Sequence, residues 1–380
     1  MTEETPTAGP PAEISHLVRE RTEARTQRNW ARADLLKAQI EAAGWRVIDR
    51  GKRSSVVPIA PPDAVVDGET RYGSAASVPS VLGEAAAHAW TVVIPASEEP
   101  ARISRLLSAL RAFAPNDVQV VIVANDPSLA QAEALLPDSP DRSPIGGVVP
   151  EVLRTSTRLG YAAALNIAMR RVSGELVLLA DGTAWPTADA ITPLAAALGD
   201  PAVAAAGGFG LRAAEEGPLR PNALSRAAGE ARDGGEAAAG ETSGDTTSGG
   251  IAALEAGWLA FRRSDYVELG PFDEHFVTPS WLDVWWTLRL RCGADPDFEE
   301  TPWNEHTEDA PAPEAAFEAG AVQTPAAVEP DAALPAPRKA AAIGLPLLRD
   351  AGSWPPDRSR LNRRNMYRVL DRFGWRDDLG

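Results

Sequence analysis

Residues 158–183, RLGYAAALNIAMRRVSGELVLLADGT, constrain the fold more than any other stretch of the chain. Ala164, Leu165, Ala168 and Met169 recur at helical spacing, which predicts a helix that stops at Ser173-Gly174. The run Leu176-Val177-Leu178-Leu179-Ala180 that follows has no polar alternation. Such a run suits a strand covered on both faces. Asp181 then emerges at the strand's carboxyl end, the edge at which open α/β sheets bind ligands.

The same alternation fills the preceding residues. A buried strand is predicted at Thr91 to Pro95, a helix over 99–113 with Ile103, Leu106, Leu107 and Leu110 facing the sheet, and a strand at Val118 to Ala124. A short helix near 129–136 and a strand at Val148 to Leu153 complete the series. Units of this length imply right-handed crossovers, so the fold class is α/β and Rossmann-like, with a mostly parallel central sheet. A dinucleotide fingerprint is missing, because the turn after Pro95 reads ASEEPAR and has no G-x-G-x-x-G.

Other segments differ in character. Residues 1–12 are expected to be disordered, and 13–53 to form a helical hairpin. Its first helix carries Ile14, Leu17, Val18 and Arg21 on one face, and its second carries Ala33, Leu36, Lys37 and Ile40. Asn29 is placed as an N-cap and Gly44 as a stop. A loose linker is expected over 54–88, then the first half of the α/β domain over 89–212. Low-complexity composition predicts disordered insertions at 213–250 and 294–341, around a second half at 251–293 and ahead of a closing strand and helix at 342–380. The formal net charge of −16 argues against a general nucleic-acid binder. Cys292 is the single cysteine, so no intrachain disulfide or cysteine zinc cluster can form. The apolar runs are too short to span a membrane, and the expected location is cytoplasmic or peripheral at the inner face of the membrane.

Several motifs together resemble the family 2 glycosyltransferases. They are VVIPASEEP, VANDPS, the Gly160 turn with its Asn166-bearing helix, the Gly174-Glu175 turn before Asp181-Gly182-Thr183, and the block from Gly257 to Gly293. In that block Arg262, Arg263, Gly270, Phe272, Asp273, Glu274, Phe276, Asp283 and Arg289 all fit the family pattern. The resemblance implies an A-type glycosyltransferase fold. It also implies a nucleoside diphosphate sugar held by Pro95, Glu98, Asn125, Asp126, Gly160, Asn166, Asp181 and Thr183. By the same resemblance Asp181 would hold Mg2+ or Mn2+, and Asp283 would be the base that takes the acceptor's proton. Trp281, Trp285 and Trp286 surround Asp283 as an acceptor-side surface or, as aromatics at helical spacing more often are, as core. The chain departs from the family at Ala124, Thr183, Leu282 and Trp285, where acidic residues are usual.

Simpler structural roles stand beside these. Asp181 can cap its strand by bonding to Gly182 and Thr183. Asp283 can be the N-cap of a helix from Val284 to Arg291. His275 lacks a metal-spaced partner and is read as structural, and His306 lies in the segment expected to be disordered. Two functional readings follow. One is an inverting sugar transfer from a nucleoside diphosphate sugar to a hydroxyl acceptor. The alternative is an inactive glycosyltransferase fold serving as a binding or scaffold module. The hairpin text resembles the C-terminal helical segment of cysteinyl-tRNA synthetases, which implies a protein or RNA partner. Arg19, Arg21, Arg25, Arg28 and Arg32 would then meet phosphates, unless Glu20 and Glu23 pair with them.

Overall fold

Alternation along the central strands decides which way the sheet buries its side chains. Val93, Val121, Val123 and Val177 pack into a core on one face, while Val92, Ile94, Val120, Ile122 and Leu178 pack into a second core on the other. The computed structural model describes residues 12–50, 53–58, 60–96, 99–212, 225–226, 250–255, 257–293, 336–349, 360–374 and 379. Most of the three segments expected to be disordered lies outside the described residues.

The N-terminal unit is made of α1 (Ala12–Thr26), α2 (Trp30–Ala42), β1 (Trp45–Arg50) and β2 (Arg53–Pro58). Asn29 caps α2 by accepting from the Arg32 N–H at 3.2 Å, and Gly44 stops it at φ 82°. The buried stripe of α2 is Ala33, Leu36 and Ile40, whereas Lys37 stays exposed. Arg21 is buried and forks onto both oxygens of Asp49 in β1 at 2.9 and 2.8 Å, Arg25 reaches the same carboxylate, and Arg32 pairs with Glu20. Three of the arginines that a phosphate backbone would need are thus tied to carboxylates, between elements rather than along one helix.

A linker was the expectation for 54–88, and the structure corrects it. Residues 53–58 are β2, while β3 (Ala64–Val66) and β4 (Glu69–Tyr72) extend the edge of the main sheet. Backbone pairing, invisible to composition, orders this segment: β4 runs parallel to β7 and Arg154 binds Glu69 at 2.8 Å.

From here the chain runs β5 (His88–Ala96), α3 (Pro100–Phe113), β6 (Val118–Ala124), α4 (Leu129–Ala134), β7 (Glu151–Thr155), α5 (Tyr161–Met169) and β8 (Gly174–Leu179). It continues through β9 (Ala184–Pro186), α6 (Ile191–Leu198), β10 (Val203–Gly207), β11 (Gly210–Arg212), β12 (Ser225–Arg226), β13 (Ile251–Leu254) and β14 (Leu259–Arg262). The closing elements are α7 (Arg263–Leu269), α8 (Leu282–Cys292), β15 (Lys339–Ala342), β16 (Leu347–Arg349) and α9 (Arg360–Phe373). Gly174 does not end the helix, as expected, but opens β8, and α5 stops at Met169. β15 falls within the segment 294–341 expected to be disordered, because Lys339 to Ala342 pair with β10.

The nine strands of the main sheet lie in the order β15-β10-β14-β8-β5-β6-β7-β4-β3, and five of these eight pairings are parallel. α3 and α6 contribute to the core on one face, and α5, α7, α8 and α9 to the core on the other. The chain moves outward from β5 through β6 to β7, then returns to the opposite side of β5 as β8. That reversal opens a crevice at the carboxyl ends of β5 and β8.

Candidate active site

Pro95 directly follows the buried part of β5, and Asp181 follows β8 beyond Ala180, whose N–H bonds to Val93 O at 3.0 Å. Both residues line a cavity of about 30 Å³ that Asp283 and Tyr161 also reach. That volume admits water and marks the floor of a site rather than a sugar's full berth. Asp283 is only 7 % exposed and stands in the first turn of α8. It is not the N-cap expected from the sequence. That position belongs to Trp281, held in the left-handed region at φ 70°, and the helix starts one residue before Asp283. The Asp283 carboxylate accepts from the Val284 N–H at 2.9 Å.

Tyr161 was not singled out in the sequence. Burial pushes its phenol well above the ordinary range, and the nearby Asp181 and Asp283 charges push it further, so it stays protonated between the two carboxylates. Its backbone N–H donates to Val277 O at 3.1 Å and that of Ala162 to Phe276 O at 3.0 Å. The first turn of α5 is therefore spent on the 276–277 loop. Gly160 permits this approach, since a Cβ there would lie 3.3 Å from Val277.

Asp181 behaves as the strand-end cap. One carboxylate oxygen accepts from the Thr183 N–H at 2.9 Å and from the Thr183 hydroxyl at 2.6 Å, and Gly182 makes the turn at φ 79°. A divalent cation needs several hard oxygen ligands. Here one oxygen of the Asp181 carboxylate is already engaged, and the third position of the Asp181-Gly182-Thr183 motif is a neutral hydroxyl. Among the described residues no group of three His, Cys, Asp or Glu side chains is placed to hold a metal ion. These residues do not fit the expected metal site.

The remaining donor-side residues divide. Asn166 is 1 % exposed and spends its amide inside the protein, donating to Phe272 O and Glu274 Oε1 and accepting from the Phe272 N–H and the Tyr266 hydroxyl. It positions the 272–274 loop and is not poised to touch a donor. Asn125 likewise donates to Leu159 O and accepts from the Leu159 N–H and the Thr155 hydroxyl. Asp126 is exposed in the left-handed region at φ 50°, leaving its carboxylate toward solvent at the sheet's edge. Glu98 lies outside the described residues, as does His306.

The tryptophans follow the core alternative. Trp286 is fully buried against Phe272 at 4.7 Å and Phe261 at 5.6 Å, and Trp285 packs on Phe276 at 5.6 Å. They correct the acceptor-side expectation, although Trp286 also forms part of the cavity wall. Trp281 is half-buried beside them. His275 is structural, bound through Nδ1 to Asp273 at 2.7 Å.

Residues 91–266 match the family model described as glycosyl transferase family 2. These residues form a family 2 glycosyltransferase domain. Among solved structures, the mannosyltransferase PcManGT from Pyrobaculum calidifontis, in complex with GDP-Man and Mn2+, is 19 % identical over 56 % of this chain and 53 % of its own, with a TM-score of 0.37. TarS from S. aureus is 18 % identical over 53 % of this chain and 33 % of its own, at 0.34. GalNAc-T7 with UDP, GalNAc and Mn2+ is 15 % identical over 75 % of this chain and 48 % of its own, at 0.45. The chain thus spans about half or less of the length of these proteins. No curated protein matches it in sequence. Asp181 lies within the matched residues, whereas Asp283 and the rest of α8 lie beyond them.

Proposed function

We propose that the domain transfers a sugar from a nucleoside diphosphate donor to a hydroxyl acceptor with inversion at the anomeric carbon. One observation carries this reading: Asp181, from the end of β8, and Asp283, from the start of α8, line a single cavity at the point where the sheet's strand order reverses. Sugar transfer by direct displacement needs one carboxylate near the acceptor and a donor held at the strand ends. In the proposed step the acceptor hydroxyl oxygen forms a bond to the anomeric carbon, its proton passes to Asp283, and the bond to the diphosphate oxygen breaks. Tyr161, protonated beside both carboxylates, is a donor suited to hold a sugar hydroxyl. The metal is left out of this step, because the described residues do not assemble a ligand set for it.

A hydroxyl acceptor is the partner this chemistry requires. No helix among the described residues is long and apolar enough to cross a membrane. Titration calorimetry of the full chain against UDP-, GDP- and dTDP-sugars tests the proposal. Saturable binding of one nucleotide class is expected, and absence of binding across the panel would overturn it.

A further inference from the structure

Among the described residues Asp181 has no companion ligands for the cation that a departing diphosphate calls for, so a positive charge has to come from elsewhere or the site is electrostatically incomplete. Strand β16 supplies one. It pairs antiparallel with β9, and Arg349 stands opposite Ala184, the residue that follows Thr183. The guanidinium lies 4.5 Å above the Phe209 ring and donates to Glu255 Oε2 at 3.1 Å. Phe209 in turn adjoins the Asp181 turn: a Cβ on Gly257 would sit 3.5 Å from the Phe209 ring and 3.6 Å from the Thr183 hydroxyl. Gly257 lines the cavity together with Asp181. Arg349, Phe209, Gly257 and Thr183 are therefore successive neighbours leading to the cavity wall.

Glu255 is 1 % exposed. A carboxylate so deeply buried is costly unless paired, and here it fixes the direction of the guanidinium while the aromatic face fixes its plane. Arginine carries five N–H donors in a rigid fork that matches phosphate oxygens, and it stays charged at any working pH. We propose that Arg349 provides the permanent cation of the donor site, binding the diphosphate in place of a metal ion, so that donor binding needs no divalent cation. This inference rests on the proposed sugar-nucleotide function.

The test is calorimetric titration of the full chain with UDP, GDP and dTDP, in EDTA and again in Mn2+. For the nucleotide that binds, affinity in EDTA is expected to equal that in Mn2+ within about twofold. The double variant Arg349→Gln/Glu255→Gln removes both members of the buried pair without leaving a lone charge. Loss of a charge-assisted contact predicts diphosphate affinity at least about tenfold weaker, with binding of the parent nucleoside unchanged. Should that variant fail to fold, Arg349→Lys keeps the charge and loses the fork, and a several-fold weakening is again expected. Binding that appears only with Mn2+, or variants that bind the diphosphate like the parent chain, would overturn the role of Arg349 while leaving the sugar-nucleotide reading intact. Failure of every nucleotide to bind in either buffer would sink both.

Discussion

Gly174 illustrates how a single missing side chain sets the sheet. A Cβ there would lie 2.4 Å from the backbone N of Thr91 and the backbone C of Trp90, and 2.8 Å from the Thr91 hydroxyl. No rotamer change relieves a backbone clash, so Gly174→Ala must push β8 away from β5. We expect a loss of about 3 kcal/mol in chemical denaturation, at the upper end for overpacking. A loss below about 0.5 kcal/mol would show that β8 is not seated this closely. The sequence pointed to this glycine as a turn residue, because a glycine after a helical pattern usually marks a stop. Its actual role depends on Thr91, far away in the chain. Asp181 was legible for the opposite reason: an apolar run ending in a lone acid is a local signal. Tyr161 was not, since a tyrosine at a helix start gains its place only when Gly160 packs on Val277 and α8 brings Asp283 alongside.

Among the elements, α9 fastens the loop that leads into α8. Asn365 donates to the Thr278 hydroxyl at 3.1 Å and to Ser280 O at 2.9 Å, and Arg368 bonds Asp273 while also meeting His275 Nδ1 at 3.0 Å. Burial alone would raise the Asp273 carboxyl, but hydrogen bonds from the His275 side chain and backbone, together with the Arg368 charge, outweigh it and bring it down to about 2. A carboxyl depressed in the folded state stabilises the fold fully above its ordinary value near 3.8. That contribution is lost as pH falls through about 2. The difference corresponds to roughly 2 kcal/mol. Thermal unfolding of the parent chain should therefore weaken more steeply between about pH 4 and pH 2 than that of Asp273→Asn, measured by circular dichroism. Parallel curves for the two proteins would remove Asp273 from the acid response. The closing helix itself was readable from its pattern. Its docking surface was not, because hydrogen bonds to the carbonyl of Ser280 leave no trace in periodicity. β3 and β4 were missed for a related reason: short strands at a sheet edge are ordered by partners, here β7, and their own composition resembles a linker.

Across the whole molecule, the alternation of strands and helices from residue 88 to 179 was enough to deduce an α/β sheet, since buried parallel strands cannot avoid apolar runs. The antiparallel β14 inserted between β8 and β10, and β15 at the far edge, were beyond it. Both are placed by pairing across long stretches of chain, and β15 is four residues with little hydrophobic contrast to their surroundings. The consequence for function is that the reversal of strand order at β5 and β8 creates the crevice, and α8 delivers a carboxylate to it. Asp283 can act as the base only if both happen in the same molecule. The decisive measurement is the turnover number for sugar transfer by Asp283→Asn beside its donor dissociation constant, once the calorimetric panel has identified a donor. Loss of a general base predicts a fall of about 10²- to 10⁴-fold in turnover. Donor affinity should stay within about threefold, because the base faces the acceptor and its loss is felt in the transition state. Turnover equal to that of the parent chain would contradict the assignment of Asp283, and with it the site as described.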